Sequence, residues 1–585
     1  MPPVCEGGSE SEHRKPGQFL FSSPYYHLLE DRSYWFYQLL EAKFYYSKSG
    51  VGCRAVAAAA ANQGKHAGRR ASSNASFPAF QIPDGLLVAV STASSGISIR
   101  STKTLQTVHA VKLAPELTGP ISTLIWSPSS TKILISAADQ IQVSSACDSS
   151  FRAVIRNPSA PLGGFSLVRF GATDWEVLTC APFGSKLSVF DLTSSRAVEI
   201  SNPKSFQPAS ANRGFSIRPA TGHLVVLTRV GGKDMISVHH PSTRQIIKSW
   251  QPETLDAQAI QWTPDGQWII LWESPAQGRK LFIYSSGGQH YRTLDTSRLL
   301  VMSNNDEIES DLQLGIKTCQ LSSDSKLCAI GDHSRGVIVL QTQIWRSTMR
   351  LWHPSVIVPS ETLQVWQEQI RHENNTRTFL RAEKPTLPQV VVDSTTTPSD
   401  ARVGCSSVSF DASSTLLATR LDDSPFTIWI WDLAAGELRA ALMFHSAVAF
   451  VWHPSSREVL LISCQEEGKQ SASYVWDPLS QGPTSLDVER YLPACKGPSK
   501  LQISWLNHES ESPEILASDT KHYVLLSLAN TEDEANPWES AVESVERNGA
   551  CMTGRDEAES IASASPIVIA EDVSKLDDTF SFKYN

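Results

Sequence analysis

The chain has 585 residues, of which 41% are hydrophobic and 19% charged. No apolar run approaches the eighteen or so residues of a membrane helix. The net charge of −9 is carried by the segment from Thr531 onward, where thirteen acids face four bases. The balanced remainder offers no broad basic surface, which argues against nucleic-acid binding by phosphate neutralisation.

The start of the chain has no basic region followed by an apolar one, so no secretory signal is expected. Ten cysteines without a C-x-x-C pair suit free thiols in a reducing compartment. Residues 1–17 read as disordered, and QFLFSSPYY at 18–26 reads as one strand. The stretch 27–76 runs from the aromatic-rich DRSYWFYQLLEAKFYYSKSG into an alanine, glycine and arginine-rich half. That half has too few large apolar residues to fold alone, so the insertion is expected to be mostly disordered. Within it, Arg69-Arg70-Ala71-Ser72 matches a basic-directed kinase pattern of a kind that often arises by chance.

From residue 77 a unit repeats. An apolar strand closing on an aromatic leads through a Ser-Pro or Pro-Asp-Gly turn to a second apolar strand, and an alternating strand follows a polar gap. STLIWSPSSTKILIS with DQIQVSS and AIQWTPDGQWIILW with KLFIYSS show the form. Phe80, Trp126, Phe170, Phe215 and Trp262 recur every 44 to 47 residues, and Phe410 and Trp452 are 42 apart. Nine such units with this period predict an all-β WD-type β-propeller, blades 1–6 over 77–354 and blades 7–9 over 403–530. One ring of nine is favoured over a seven-bladed ring with a partial second, because two units alone cannot bury their faces.

Structural anchors are expected at Trp126, Phe170, Trp262, Phe410, Trp431, Trp452, Trp476 and Trp505, with Asp432, Asp477 and Asp191 capping turns. Ile428 and Ile430 should face one neighbouring blade, and Thr427, Trp429 and Trp431 the other. The insertion 355–402 is expected to form a loop and a helix with Leu363, Trp366 and Ile370 on one face, either a lid on the ring or a docking helix. The tail 531–585 is acidic and expected to be disordered except at its end. There KLDDTFSFKYN reads as a peptide that adds to a sheet or fills a groove, with Asp577, Asp578, Thr579, Phe580 and Phe582 as candidate partner-binding residues.

Signs of catalysis are few. No P-loop, G-x-S-x-G or H-E-x-x-H occurs, His239-His240 suits a turn, and Cys319 with Cys328 would be two thiols short of a zinc site. The chain therefore reads as a non-enzyme with no cofactor, metal or small-molecule substrate.

The order of the units, and above all LLATRLDDSPFTIWIWDL with its Asp-Asp-Ser-Pro loop, resembles the WD-repeat protein eight family, also called the WD-repeat protein antisense to the tumour suppressor gene. The terminal LDDTFSFK is similar to fungal members. The resemblance implies a cytoplasmic, non-enzymatic scaffold at the spindle pole body or centrosome. It would work with a coiled-coil microtubule-anchoring protein (the Msd/TINA type in fungi), with a minus-end-directed kinesin and tubulin engaged indirectly. A ring of this kind serves equally well in a ubiquitin-ligase or RNA-processing complex. Family members run an N-terminal strand straight into the first hairpin, so Phe19 to Ser23 is expected to complete the blade at 501–528.

Overall fold

The computed structural model describes residues 67–72, 80–81 and 85–528 apart from several loop segments, the longest 297–314, 392–403 and 492–500, together with Ile567–Val568 and Phe582–Tyr584. The described chain forms nine small antiparallel sheets arranged as the blades of a propeller. Blade 1 begins at Phe80–Gln81, and blades 2 to 6 begin at Ile121–Trp126, Leu167–Phe170, Phe215–Ile217, Ala257–Trp262 and Ile316–Leu321. Blades 7 to 9 begin at Cys405–Phe410, Ala447–Trp452 and Gln502–Leu506.

Closure is visible in the packing. Eight apolar clusters each join one blade to the next along the chain. The remaining cluster sets Leu516, Tyr523 and Leu525 of blade 9 against Val88 and Val90 of blade 1. A seven-bladed ring with a partial second is thereby set aside.

The repeat has a physical cause in its first turn. The residue after the strand-ending position is Ser127, Thr263, Ser322 or Asp411, and its side-chain oxygen accepts the N–H of Lys132, Trp268, Leu327 or Leu416 at 2.8–3.0 Å. Three residues further on, the backbone turns left-handed at Ser130, Gly266, Ser325 and Ser414 and donates back to the same four residues. A short polar side chain and a residue tolerant of positive φ are what this turn demands.

Alternation sorts the blade faces. Trp429 and Trp431 pack on blade 6, while Ile428 and Ile430 pack on blade 8. Trp431 Nε1 donates to Thr419 Oγ1 (2.9 Å), and His353 Nε2 meets the same oxygen at 2.8 Å. His353 Nδ1 lies 2.6 Å from the Arg335 carbonyl, so Nδ1 carries the proton and Nε2 accepts from the threonine. The first strands are also stitched across blades: Trp452 Nε1 donates to Ser409 O and Trp505 Nε1 to Val451 O, each at 3.0 Å.

Two expectations are corrected. The fourth strand of blade 9 is Ala67–Ser72, paired antiparallel from Ala67↔Ser527 to Ser72↔His522. The edge expected for Phe19 to Ser23 is therefore occupied, by a strand from inside the insertion expected to be mostly disordered. Residues 18–26 lie outside the described residues, as do 1–17 and the tail apart from its two short strands. What the edge requires is backbone donors and acceptors, which an Ala, Gly and Arg-rich strand supplies as well as an aromatic one.

The second correction concerns the insertion. Gln364–Arg371 is a strand, not a helix; it runs parallel to Glu437–Met443 of blade 7 and antiparallel to Thr376–Arg381. The spacing of Leu363, Trp366 and Ile370 fits a helix, but the open blade edge satisfies an extended backbone and overrides it. Blade 7 thereby grows to six strands.

Candidate functional site

Antiparallel order within each blade puts the loop between its second and third strands on the same face of the ring as the link to the next blade. On that face three exposed apolar side chains lie along blades 3 to 5. Phe183 sits in the turn Pro182–Gly184 and is 86% exposed with φ +63°. A bulky residue in the left-handed region is an outlier that the fold must hold in place. Val230, before the Gly231-Gly232 turn, and Leu255, on the link to blade 5, are 57% and 68% exposed.

A hydrogen-bonded framework connects the three. Asn202 N–H donates to Ser185 O (3.2 Å), Arg229 N–H to Asn202 O (3.0 Å), and Arg229 Nη2 to Leu255 O (3.5 Å). Below it lies a neutral set of four charges. Lys204 Nζ bridges Asp234 (3.0 Å) and Asp256 (2.7 Å), and Arg229 Nη1 reaches Asp256 at 2.9 Å. The fully buried Asp234 carboxylate also accepts from Thr254 Oγ1 (3.0 Å) and the Ala257 N–H (2.7 Å). Lys204 holds the Asp256 carboxyl below its usual range, against the upward push of partial burial. Each ion in this set has a partner, so it stiffens the loops and leaves the apolar tips as free surface.

The inserted segment adds to the same face. Ile357 bridges to Thr386, and this leaves Val356, Val358 and Leu387 exposed beside it. Its hairpin is locked by the buried Glu368, which accepts from Tyr474 Oη (2.6 Å), Arg377 Nη1 (3.1 Å) and the His445 N–H (2.8 Å). A cleft of about 210 Å³ opens between hairpin and ring beside Gln367, Gln389 and His445, but the only acid lining it is the fully engaged Glu368.

Exposed rings on the opposite face are already occupied. Trp175 lies under Lys132 Nζ at 3.6 Å and edge-on to Phe151 at 4.9 Å.

Trp126, Phe170, Trp262, Phe410, Trp431, Trp452, Trp476 and Trp505 are all buried and spread around the ring, so they converge on no single site. Asp432 Oδ1 accepts the N–H groups of Ala434 (2.9 Å) and Ala435 (3.0 Å), and Asp477 and Asp191 cap their turns in the same way at Leu479 (2.8 Å) and Thr193 (2.9 Å). His240 Nδ1 accepts from Ser242 and Thr243 in its turn. Cys319 and Cys328 face each other, buried, with Sγ atoms 3.3 Å apart. Among the described residues no group of three or more His, Cys, Asp or Glu is placed to hold a metal ion. Asp577, Asp578, Thr579 and Phe580 lie outside the described residues, and Phe582 lies in a strand added to blade 2. Phe183 and Leu255 escape the repeat pattern because they stand between strands, and Val230 because it ends one; Pro-Phe-Gly, an aromatic inside a turn, is the signal that marks the first.

The chain is 22% identical over 471 residues to an uncharacterized WD repeat-containing protein of Schizosaccharomyces pombe, covering 77% of this chain and 90% of that one. Its relatives are WD repeat-containing proteins. Another is the WD repeat-containing protein WRAP73 of Mus musculus, 23% identical over 337 residues, 52% of this chain and 64% of that one. No family model matches. Among solved structures, a dihydro-heme d1 dehydrogenase NirN and a eukaryotic initiation factor each overlay 69% of the chain at 11% identity and a TM-score of 0.41, a likeness too low to bear on function. A nine-bladed propeller similar to WD repeat-containing proteins is an architecture consistent with a non-enzymatic scaffold.

Proposed function

We propose that this WD-repeat ring is a non-enzymatic scaffold of the spindle pole body or centrosome, gripping a coiled-coil microtubule-anchoring protein and so tethering microtubule minus ends. A minus-end-directed kinesin and tubulin join indirectly. The observation that carries the reading is the arc of Phe183, Val230 and Leu255, apolar tips exposed on a charge-neutral framework, a surface suited to a protein partner. The choice of partner rests on the family resemblance around LLATRLDDSPFTIWIWDL.

The test has two parts. The tagged protein is expected at the spindle poles through mitosis, and its purification is expected to recover a coiled-coil pole protein with tubulin. A full-length variant carrying Phe183→Ser and Leu255→Ser is expected to retain that partner at least ~10-fold less well, with its unfolding transition unchanged. Recovery of a cullin adaptor or of RNA, without a pole protein, overturns the assignment.

A further inference from the structure

Propeller blades end in an outer strand whose free N–H and C=O groups invite pairing, and natural sheets guard such edges with charge. The outer strands of blades 3 to 6 each carry a charged guard in their interior: Glu199, Lys248, Arg292 and Arg350. In blade 7 the run Ala440–Met443 has none, and Gln364–Arg371 covers it. In blade 2, Arg152–Arg156 holds only Ala153, Val154 and Ile155 between its two arginines, all buried. That edge too is covered, but by the far end of the chain. Phe582 pairs with Ile155, Lys583 with Val154 and Tyr584 with Ala153, and Ile567–Val568 adds one more strand outside.

We propose that the outer edge of blade 2 is a strand-docking site for an extended segment of alternating aromatics preceded by acids. The chain's own C-terminal segment is its resident occupant, and a partner's segment of the same pattern takes its place when the tail leaves. Three features carry this. The edge is unguarded in its interior, where the uncovered outer strands of blades 3 to 6 are guarded. Register sets residues 582 and 584, both aromatic in the sequence, opposite Ile155 and Ala153. Arg152 and Arg156 flank the edge, while Asp577 and Asp578 precede the aromatics, a complementary pairing of charge.

The test uses three proteins: the full chain, the chain lacking residues 575–585, and the full chain carrying Phe582→Asp and Tyr584→Asp. Amide exchange over 152–156 is expected to quicken at least ~10-fold in both altered chains, with 196–201 of blade 3 unchanged. A labelled peptide of residues 575–585 is expected to bind both altered chains, to bind the intact chain at least ~10-fold more weakly, and to lose binding when scrambled. Should the truncated chain fail to fold, the double-aspartate chain decides alone. Unchanged exchange at 152–156, equal peptide binding by all three proteins, or binding by none overturns the proposal. So does a concentration-dependent dimer of the intact chain that loses its association with the tail, which would give the edge to a second copy.

Discussion

Thr419, between Trp431 and His353, shows how much one hydroxyl carries. Thr419→Val keeps the shape but strips both ring nitrogens of their partner in a buried site. The expected loss is about 2–4 kcal/mol, from two polar groups at about 1–2 kcal/mol each, read as a lower urea midpoint with unchanged slope. His353 also sets a pH dependence. Burial pulls its pKa down to about 4, so the folded ring refuses a proton that the unfolded chain accepts below about 6.5. This stabilisation is complete above pH 6.5 and lost as pH falls toward 4. His333 and His453 are pulled to about 4 in the same direction, again by burial. Glu514, pushed up to about 7 by burial, acts oppositely: it stabilises below about 4.5, and this is lost as pH rises through 7. Three groups against one predict a net loss on acidification from pH 7 to 5, with His353 alone worth about 2 kcal/mol by pH 5, measurable from urea midpoints at the two values.

Among elements, the inserted hairpin depends on Glu368. Its carboxylate is wholly buried and holds Arg377 from the hairpin itself and Tyr474 from blade 8. Burial and Glu368 together push the Tyr474 hydroxyl's pKa well up, so it stays a donor. Removing one partner of a buried ion pair costs about 3–5 kcal/mol. Glu368→Leu is therefore expected to free the hairpin from the ring, and limited proteolysis would show new cleavage between 355 and 391 while blades 1 to 6 stay protected. The chain's hydrophobic spacing misleads here for a clear reason. Leu363, Trp366 and Ile370 satisfy a helical period, yet the segment's neighbour is an open sheet edge, and period alone carries no information about neighbours.

Across the whole molecule, ring closure rests on a strand of modest composition. Without Ala67–Ser72 the backbone groups of His522–Ser527 that face it lose their partners, while those facing Glu514–Ser518 keep theirs, and blade 9 keeps three strands between two apolar interfaces. A chain beginning at residue 62 is expected to unfold as the full chain does. One beginning at residue 77 should melt at least several degrees lower and aggregate through the opened edge, as seen by calorimetry and light scattering. Equal melting of the two would show that the ring closes without this strand. A ring whose every interface is a two-sided apolar cluster gives one blade no independent stability, so the loss should spread beyond blade 9.

The repeat unit was legible in the residues themselves. Each blade buries its own aromatics and makes its own turns, so Trp126, Trp262, Phe410 and the polar residue after each carry the fold locally. Blade number followed from counting those units. What tertiary structure alone decided lies at the edges: which segment closes blade 9, what covers blades 2 and 7, and which loop tips share a face. An edge asks only for backbone groups, and backbone is the same in every residue, so side-chain pattern cannot say which strand will fill it. The arc of Phe183, Val230 and Leu255 was hidden for a related reason, since three loops far apart in the chain become neighbours only when the ring sets blades 3 to 5 side by side.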